Sequence, residues 1–322
     1  MEFSTLAAQT RAEKVIKKLI SEKRLPHAIL LTGKEGIGKK AFALAVAKSL
    51  LCESPGDNIE ACGECGSCRK VDAFVHQDLL IVSTEGNVIK IDQIRAVMEE
   101  TSYRTGKGRF RVIIIEEAEK LGDEASNALL KILEEPPEGN VFILTTSRYY
   151  QILPTIRSRC CRIALQPMPQ AELIKVLREN RQDIPEPDAT SCVLLADGSY
   201  SRLMELISHE TPYPWKTLSS RVESIAHIPM WQFFFEVGKW LEEYDDLETL
   251  LRHLKVWLVI YIRNFVSHTG ESSARYLDKC LDFFETIEEA EQALRFNVNK
   301  TLLLEEIGIR IKEDLYEKAH WS

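Results

Sequence analysis

The sequence lacks any segment that would direct a chain into or across a membrane. Its start, Met1 to Leu6, has neither a basic region nor an apolar run, so no secretory signal is predicted. The most apolar late stretch, residues 256–266, is short and interrupted by Arg263, which indicates a buried helix and not a membrane span. Internal repeats and low-complexity tracts are also absent. These absences predict a cytoplasmic protein with reduced cysteines and no membrane partner.

The sequence also lacks an excess of positive charge. The 322 residues carry 41 Lys and Arg against 49 Asp and Glu, a net charge of −8, which argues against strong free-standing binding to DNA. The net charge is compatible with membership of a complex whose other subunits supply the positive charge that DNA binding needs. The one local basic segment, residues 103–111, is interpreted as a solvated loop in preference to a phosphate contact.

A phosphate-binding loop is present, but it lacks the hydroxyl residue with which such loops end. Residues 33–40 match G-x-x-x-x-G-K-[ST] except that Lys40 stands in the last place. Backbone N–H groups of the glycine loop would surround phosphate oxygens, and Lys39 would add positive charge. The missing Ser or Thr would have bound Mg²⁺, which neutralises charge during phosphoryl transfer. The loop therefore predicts weak binding of ATP or ADP and argues against bound Mg²⁺. The candidate nucleotide-binding residues of the loop are Gly33, Gly36, Gly38, Lys39 and Lys40.

Apolar runs typical of buried strands surround the loop. Ala28–Thr32 precedes it, and apolar residues at helical spacing follow it, which is the context that the motif requires. A second buried strand is predicted at residues 111–117 and ends in Glu116 and Glu117, which the edge of a parallel sheet would bring next to the loop. The usual pair is Asp-Glu, so Glu116 weakens a metal role, and acids that merely cap a strand end are the alternative. A third strand is predicted at residues 141–145, and Thr146, which follows it, would present a hydroxyl to a nucleotide at the same edge.

Four of the eight cysteines form a cluster, Cys52, Cys62, Cys65 and Cys68, with the spacing C-x9-C-x2-C-x2-C. In a reducing compartment this pattern indicates a metal site rather than a disulfide framework. Four thiolates satisfy tetrahedral Zn²⁺ with no open position, so we predict structural zinc. An iron–sulfur cluster is the alternative, but in ferredoxins the fourth cysteine follows closely and precedes a proline, whereas here it lies upstream.

Two further motifs resemble those of the bacterial clamp-loader AAA+ subunits. They are Leu-Leu-Lys-Ile-Leu-Glu-Glu-Pro-Pro at residues 129–137 and Ser-Arg-Cys at residues 158–160. The cysteine cluster after the loop helix narrows the resemblance to the gamma/tau and delta-prime families of DNA polymerase III. The motifs cover residues 1 to about 207, and the resemblance is weaker beyond. On spacing alone, Arg159 favours a surface salt bridge.

Two departures separate this chain from the motor family, gamma/tau, and imply delta-prime. Lys40 replaces the loop hydroxyl, and Ser201 stands where a Gly-Ser-x-Arg turn has its sensor arginine, with Arg202 one residue late. The resemblance implies that Arg159 acts in trans as an arginine finger on a neighbouring ATPase subunit. It also implies little ATPase activity of its own, within the DNA-directed DNA polymerase III holoenzyme, a nucleotidyltransferase complex. The implied partners are gamma/tau and delta subunits, with the sliding clamp and primer-template DNA reached through the complex.

The predicted fold has three parts. Residues 1–163 form an α/β nucleotide-binding domain with a parallel sheet, of the AAA+ type by resemblance, and residues 52–68 insert a zinc module. Residues 164–208 form a small helical lid, and residues 209–322 an all-helical domain that resembles a clamp-loader collar. Aromatic core candidates of this last part are Trp231, Phe233, Phe234, Phe235, Trp240, Trp257 and Tyr261.

Three alternatives remain. A gamma/tau-type motor of the same assembly would have to bind Mg²⁺ without the loop hydroxyl. A P-loop phosphotransferase such as a nucleotide kinase would leave the Ser-Arg-Cys motif and the helical tail without a purpose. A zinc-dependent DNA-binding module is disfavoured by the acidic balance of charge.

Overall fold

The structure is a computed structural model, and it describes residues 9–56, 59–84, 86, 88–102, 110–208, 232, 247–268, 274–294 and 298–311. The chain divides into two compact units. The first comprises Met1–Leu173 with Gly198–Arg202, and the second comprises Ile174–Asp197 with Leu203–Ser322. The division into three domains at residues 163 and 208 stays a prediction.

The first unit alternates helices and strands. In chain order its elements are α1 Thr10–Ser21, β1 Ala28–Thr32, α2 Lys39–Leu51, α3 Gly66–Asp72, β2 Leu79–Val82, α4 Ile91–Ser102, β3 Arg111–Ile115, α5 Asp123–Glu134, β4 Asn140–Thr146, α6 Pro154–Arg157 and β5 Cys161–Ala164. Short 3₁₀ turns lie at Ala118–Lys120 and Tyr149–Gln151.

The five strands form one parallel sheet in the order β2-β3-β4-β1-β5. Every residue of β1, β3 and β4 is buried, as expected for strands covered by helices on both faces. Alternate residues belong to different cores: Ile29 packs with residues of α1 and α2, whereas Leu30 packs with residues of α4 and α5. The predicted α/β class with a parallel sheet is confirmed.

The sheet order determines which loops meet. β4 lies between β1 and β3, and Thr32 of β1 is in register with Thr146 of β4. The phosphate loop after β1 and the acids after β3 therefore flank the carboxyl end of β4.

The remaining helices are α7 Gln170–Asn180, α8 Glu186–Ala196, α9 Tyr200–Ser208, α10 Leu247–His268, α11 Ala274–Ala293 and α12 Lys300–Arg310. In the second unit, α10, α11 and α12 share an apolar core that includes Trp257, Phe283 and Leu304. Trp257, predicted as a core residue, is 1% exposed and stacks on Tyr261 with ring centroids 5.0 Å apart. The other five aromatic candidates, and residues 103–109 of the basic segment, lie outside the described residues.

None of the helices that the structure describes is both long and apolar enough to span a bilayer.

Candidate functional site

The phosphate loop connects β1 to α2 through glycines in unusual backbone conformations. Gly36 and Gly38 have φ of +71° and +92°, values that favour glycine, and Gly38 caps α2. The side chain of Lys39 bends back over the loop, where its Nζ donates to the carbonyl oxygens of Gly33 (2.9 Å) and Lys34 (2.7 Å). The loop is thus closed by its own lysine.

Burial lowers the pKa of Lys39, because desolvation disfavours the ammonium. The nearby carboxylates of Glu119, Glu35 and Glu117 oppose this shift without cancelling it. Lys39 therefore lies near three carboxylates, although the backbone N–H groups of the loop would bind an anion.

Lys40, at the position of the missing hydroxyl, forms an ion pair with the first acid after β3. Its Nζ lies 2.8 Å from Oε1 of Glu116, whose side chain is 15% exposed against 55% for Lys40. The structure thus brings together two residues that the sequence singled out separately. The carboxylate of Glu116 is therefore paired with a cation of the protein itself.

The second acid, Glu117, does not join this pair. It has a left-handed backbone (φ +50°, ψ +53°), donates its backbone N–H to Oγ1 of Thr145 and pairs with Lys120 at 2.9 Å. A non-glycine residue in this conformation is strained by about 1–3 kcal/mol. This left-handed residue joins β3 to the 3₁₀ turn Ala118–Lys120.

Thr146 ends β4 with a buried side chain, and its Oγ1 accepts a hydrogen bond from the backbone N–H of Arg148 (3.0 Å). Beside it, Oε1 of Glu119 accepts from both the backbone N–H and the hydroxyl of Ser147, at 3.0 and 2.9 Å. Burial alone would raise the pKa of Glu119, but hydrogen bonds from its own backbone N–H, Ser147 and Thr146 lower it overall. Sequence reasoning missed Glu119, because it lies beyond the acid pair that the motif specifies.

The segment Gly198–Arg202, which carries the serine at the sensor position, lies against the phosphate loop. The backbone N–H of Ser201 donates to the carbonyl oxygen of Gly36 (3.3 Å). Oγ of Ser199 accepts from the backbone N–H of Arg202 (3.2 Å). A Cβ on Gly36 would lie 2.0 Å from that Oγ, so the contact requires glycine.

Arg159, of the Ser-Arg-Cys motif, contacts Glu134 at the end of α5, which belongs to the motif at residues 129–137. Its Nη2 lies 2.7 Å from Oε1 of Glu134, and its Nη1 donates to the carbonyl oxygen of Thr155 (3.0 Å). The side chains of Arg159 and Glu134 are 34% and 52% exposed. The salt bridge favoured by spacing alone is present, and it leaves the guanidinium partly accessible at the surface.

Two other arginines pack against Tyr149, a contact that sequence reasoning missed. The guanidinium carbons of Arg162 and Arg157 lie 4.1 and 4.8 Å from the centroid of its ring, a cation–π geometry. Tyr150 meets Tyr149 edge-on and is 88% exposed. Arg157 is thus packed on aromatic rings, whereas Arg159 is paired with a carboxylate.

The four clustered cysteines converge on one point. All four Sγ atoms lie within 4.8 Å of one another, with Cys52 to Cys62 at 3.6 Å, Cys52 to Cys65 at 4.0 Å and Cys62 to Cys68 at 4.0 Å. A tetrahedron of thiolates around Zn²⁺, with Zn–S of about 2.3 Å, requires S–S separations of about 3.8 Å. The donor set and its size therefore fit a four-thiolate metal ion.

Backbone N–H groups donate hydrogen bonds to three of these sulfurs, whereas burial raises the pKa of Cys52 and of Cys68. The N–H groups of Cys62, Cys65 and Cys68 donate to the Sγ of Cys52, Cys62 and Cys65 at 3.4, 3.4 and 3.3 Å. Burial alone would raise the pKa of Cys65, but hydrogen bonds from the backbone N–H groups of Cys68 and Glu53 and from neighbouring thiols lower it to about 6. The thiolate is the form of cysteine that binds metal, so these hydrogen bonds favour the ligand form of Cys65.

Ion pairs attach this module to the nearby helices. Nζ of Lys48 in α2, whose side chain is 4% exposed, lies 2.6 Å from Oδ2 of Asp72 in α3. Nζ of Lys17 in α1 lies 2.6 Å from Oε1 of Glu60. Ion pairs therefore join the cysteine segment to α1 and to α2, the helix that follows the phosphate loop.

Comparison with known proteins places the chain in a family. A family model described as "DNA polymerase III, delta subunit" matches residues 8–169, just over half of the 322 residues. The chain is 28% identical to DNA polymerase III subunit delta' of Bacillus subtilis over 327 aligned residues, which cover 95% of this chain and 96% of the relative.

Two other relatives match over shorter spans. Subunit delta' of Pseudomonas aeruginosa is 36% identical over 176 residues, covering 54% of this chain and 53% of the relative. Subunit tau of Escherichia coli is 32% identical over 209 residues, covering 64% of this chain and 32% of the relative.

The chain belongs to the DNA polymerase III delta-subunit family that the matching model describes. Its resemblance to delta-prime, with gamma/tau as related subunits, is confirmed by the relatives above.

Proposed function

We propose that this chain is a delta-prime subunit of a bacterial clamp loader. It would help to load the sliding clamp onto primed DNA, in a hetero-oligomer with gamma/tau and delta subunits in the cytoplasm. In this proposal the first unit is an AAA+ domain, and the helices after Ala164 form a lid and a collar. Clamp loading is an activity of the whole complex. This chain would contribute to it by assembling with the other subunits and by supplying Arg159 to a neighbouring subunit.

The observation that carries the non-motor role is the ion pair between Lys40 and Glu116. A motor subunit needs Mg²⁺ at this place to neutralise charge on the transferred phosphoryl group. Here an ammonium of fixed charge sits on the acid, and the motif residue that would bind the ion is absent. Hydrolysis by this chain should therefore be negligible. The match to a delta' subunit over nearly the whole of both chains supports the same assignment.

Arg159 would serve a neighbouring subunit. An arginine directed at another subunit's γ-phosphate stabilises negative charge in the transition state, and such arginines contribute about 10³–10⁵ in rate. The partly exposed guanidinium, held by Glu134, is suited to this role because it is oriented without being buried. Its partner motif, residues 129–137, supplies that glutamate.

The test is a reconstituted loader that carries Arg159→Ala. We expect DNA-stimulated ATP hydrolysis and clamp loading to slow by at least about tenfold while assembly is retained. Arg157→Ala removes the same charge from a neighbouring position packed on Tyr149, and it should have a much smaller effect. Normal assembly of the Arg159 variant with an unchanged loading rate would contradict the role in trans.

For the cysteine module we propose structural Zn²⁺, held by Cys52, Cys62, Cys65 and Cys68. The closed set of four sulfurs leaves no position for a substrate, so the ion would stabilise the fold of residues 52–72 rather than take part in a reaction.

A further inference from the structure

We propose that Lys40 takes the place of the divalent cation, so that the phosphate loop binds a nucleoside di- or triphosphate without Mg²⁺. This inference rests on the proposed loss of hydrolysis at this site. It goes further than the loss of hydrolysis, because a loop that cannot hydrolyse ATP could also bind no nucleotide at all. The inference is that the loop still binds a nucleotide and that this binding does not depend on Mg²⁺.

The acid that follows β3 is already paired with a cation of the protein itself. In a complete site the acid after the strand and the loop hydroxyl hold Mg²⁺, and the ion contacts phosphate oxygens. Here Nζ of Lys40 lies 2.8 Å from Oε1 of Glu116, so the carboxylate has a cation of its own. A divalent ion would have to displace this ammonium or lie beside it, and both are opposed by like-charge repulsion.

The exposure of the two partners leaves the ammonium available to a ligand. Glu116 is largely buried, whereas the Lys40 side chain is 55% exposed on the solvent side of the pair. A lysine ammonium has three N–H donors, and its contact with Oε1 of Glu116 is an ion pair without a hydrogen bond of regular geometry. The ammonium can therefore donate to oxygens of a phosphate, at the last residue of the loop motif.

The rest of the loop supplies contacts that need no metal. The glycines at 36 and 38 keep their left-handed conformations, and the first turn of α2 begins at Lys39. Backbone N–H groups at the start of a helix bind phosphate through hydrogen bonds and the helix dipole. Lys39 now donates to loop carbonyls, and it can exchange these bonds for phosphate oxygens by rotation of its side chain.

The test measures ATP and ADP binding to the full-length chain by calorimetry, once in excess Mg²⁺ and once in EDTA. We expect the two dissociation constants of the unmodified chain to agree within about twofold. Lys40→Thr restores the motif hydroxyl and frees Glu116, so its binding should become at least about tenfold tighter in Mg²⁺ than in EDTA, a change of about 1.4 kcal/mol.

Lys34→Thr is the matched control, since it removes an exposed lysine from the same loop without touching Glu116. Its ratio of affinities in Mg²⁺ and EDTA should stay near one. The proposal is overturned if the unmodified chain loses binding in EDTA, if it binds no nucleotide in either buffer, or if Lys40→Thr shows no dependence on Mg²⁺. None of these results bears on the reconstituted-loader test of Arg159, so the two proposals can fail separately.

Discussion

Two carboxylates, Glu116 and Glu134, each hold a cationic side chain that the motifs single out. Glu116 pairs with Lys40 and Glu134 with Arg159, and in each pair the acid lies far from its partner in sequence. The two pairs have opposite consequences under the proposed function. The first neutralises the chain's own site, and the second orients an arginine toward a site elsewhere.

Glu134→Gln tests whether the ion pair positions Arg159. Both side chains are about a third or more exposed, so the pair stabilises the fold by only about 0–1 kcal/mol and the melting temperature should barely change. DNA-stimulated ATP hydrolysis of the reconstituted loader should nevertheless fall several-fold, because the guanidinium loses its orientation. Glu135→Gln, an equal loss of charge at the next residue, is the control. Equal hydrolysis rates for the two variants would show that Glu134 does not position the arginine.

Gly36→Ala tests the contact between the loop and the segment Gly198–Arg202. An alanine there has a strained φ of +71°, and its Cβ would lie 2.0 Å from Oγ of Ser199. We expect a loss of about 1–3 kcal/mol in the free energy of unfolding, measured by chemical denaturation. Ser199→Ala in the same chain removes the clashing oxygen and should recover part of the loss. An unchanged stability of Gly36→Ala would contradict the packing described for this segment.

Among the elements, the three central strands of the sheet were predicted from the sequence, whereas β2 and β5 were not. An apolar run gave β1 with the observed bounds, the strand expected at residues 111–117 is β3 and ends two residues earlier, and the run expected at residues 141–145 is β4, one residue longer at each end. A buried parallel strand is a continuous apolar run, so its sequence signal is strong. The strand order could not be predicted, because it depends on which runs pair across long stretches of chain.

The candidate site was predictable as a set of motifs but not as a set of contacts. Sequence spacing identified Lys40 and Glu116, and also the four cysteines, whose convergence needs only short turns. It could not predict that Lys40 and Glu116 pair, since that contact depends on the position of β4 between β1 and β3. Glu134 and Tyr149 were missed as neighbours of the arginines for the same reason.

The cysteine module is the element whose stability depends most on a ligand. We expect about one Zn²⁺ per chain by metal analysis, without the visible absorbance of an iron–sulfur cluster. Cys65→Ser should abolish this zinc and unfold residues 52–72 locally while the sheet stays intact, as followed by hydrogen exchange. Cys161→Ser, in β5 and outside the cluster, should keep the metal. A zinc content unaffected by Cys65→Ser would rule out this site.

At the scale of the whole molecule, the chain has one unit built around a sheet and one built from helices. The sheet unit carries all the candidate site residues described above. The core of the helical unit is apolar, and Lys255 of α10 pairs with Glu291 of α11 at 2.7 Å. The proposed division of labour assigns nucleotide chemistry to neighbouring subunits and leaves this chain to complete their sites.

Lys39→Ala tests that division in the assembled complex. If this chain's own site contributes no hydrolysis, the variant should leave the loader's DNA-stimulated ATPase within about twofold of normal, while the corresponding change in a motor subunit should abolish the contribution of that subunit. The isolated chain should hydrolyse ATP no faster than buffer. Loss of the whole loader's ATPase with Lys39→Ala would show that the site is active.

The pairing of β1 also determines when the protein can fold during its synthesis. Thr32 is in register with Thr146 on one side and Ala164 on the other, so β1 has no strand partner until the ribosome has made most of the first unit. The cysteine module needs only residues up to Asp72. At about 5–20 residues per second, it is exposed for on the order of ten seconds before the sheet can close. Four thiols are then available to zinc while the chain is still nascent, so scarcity of zinc during translation should lower the yield of folded protein more than later removal of the metal.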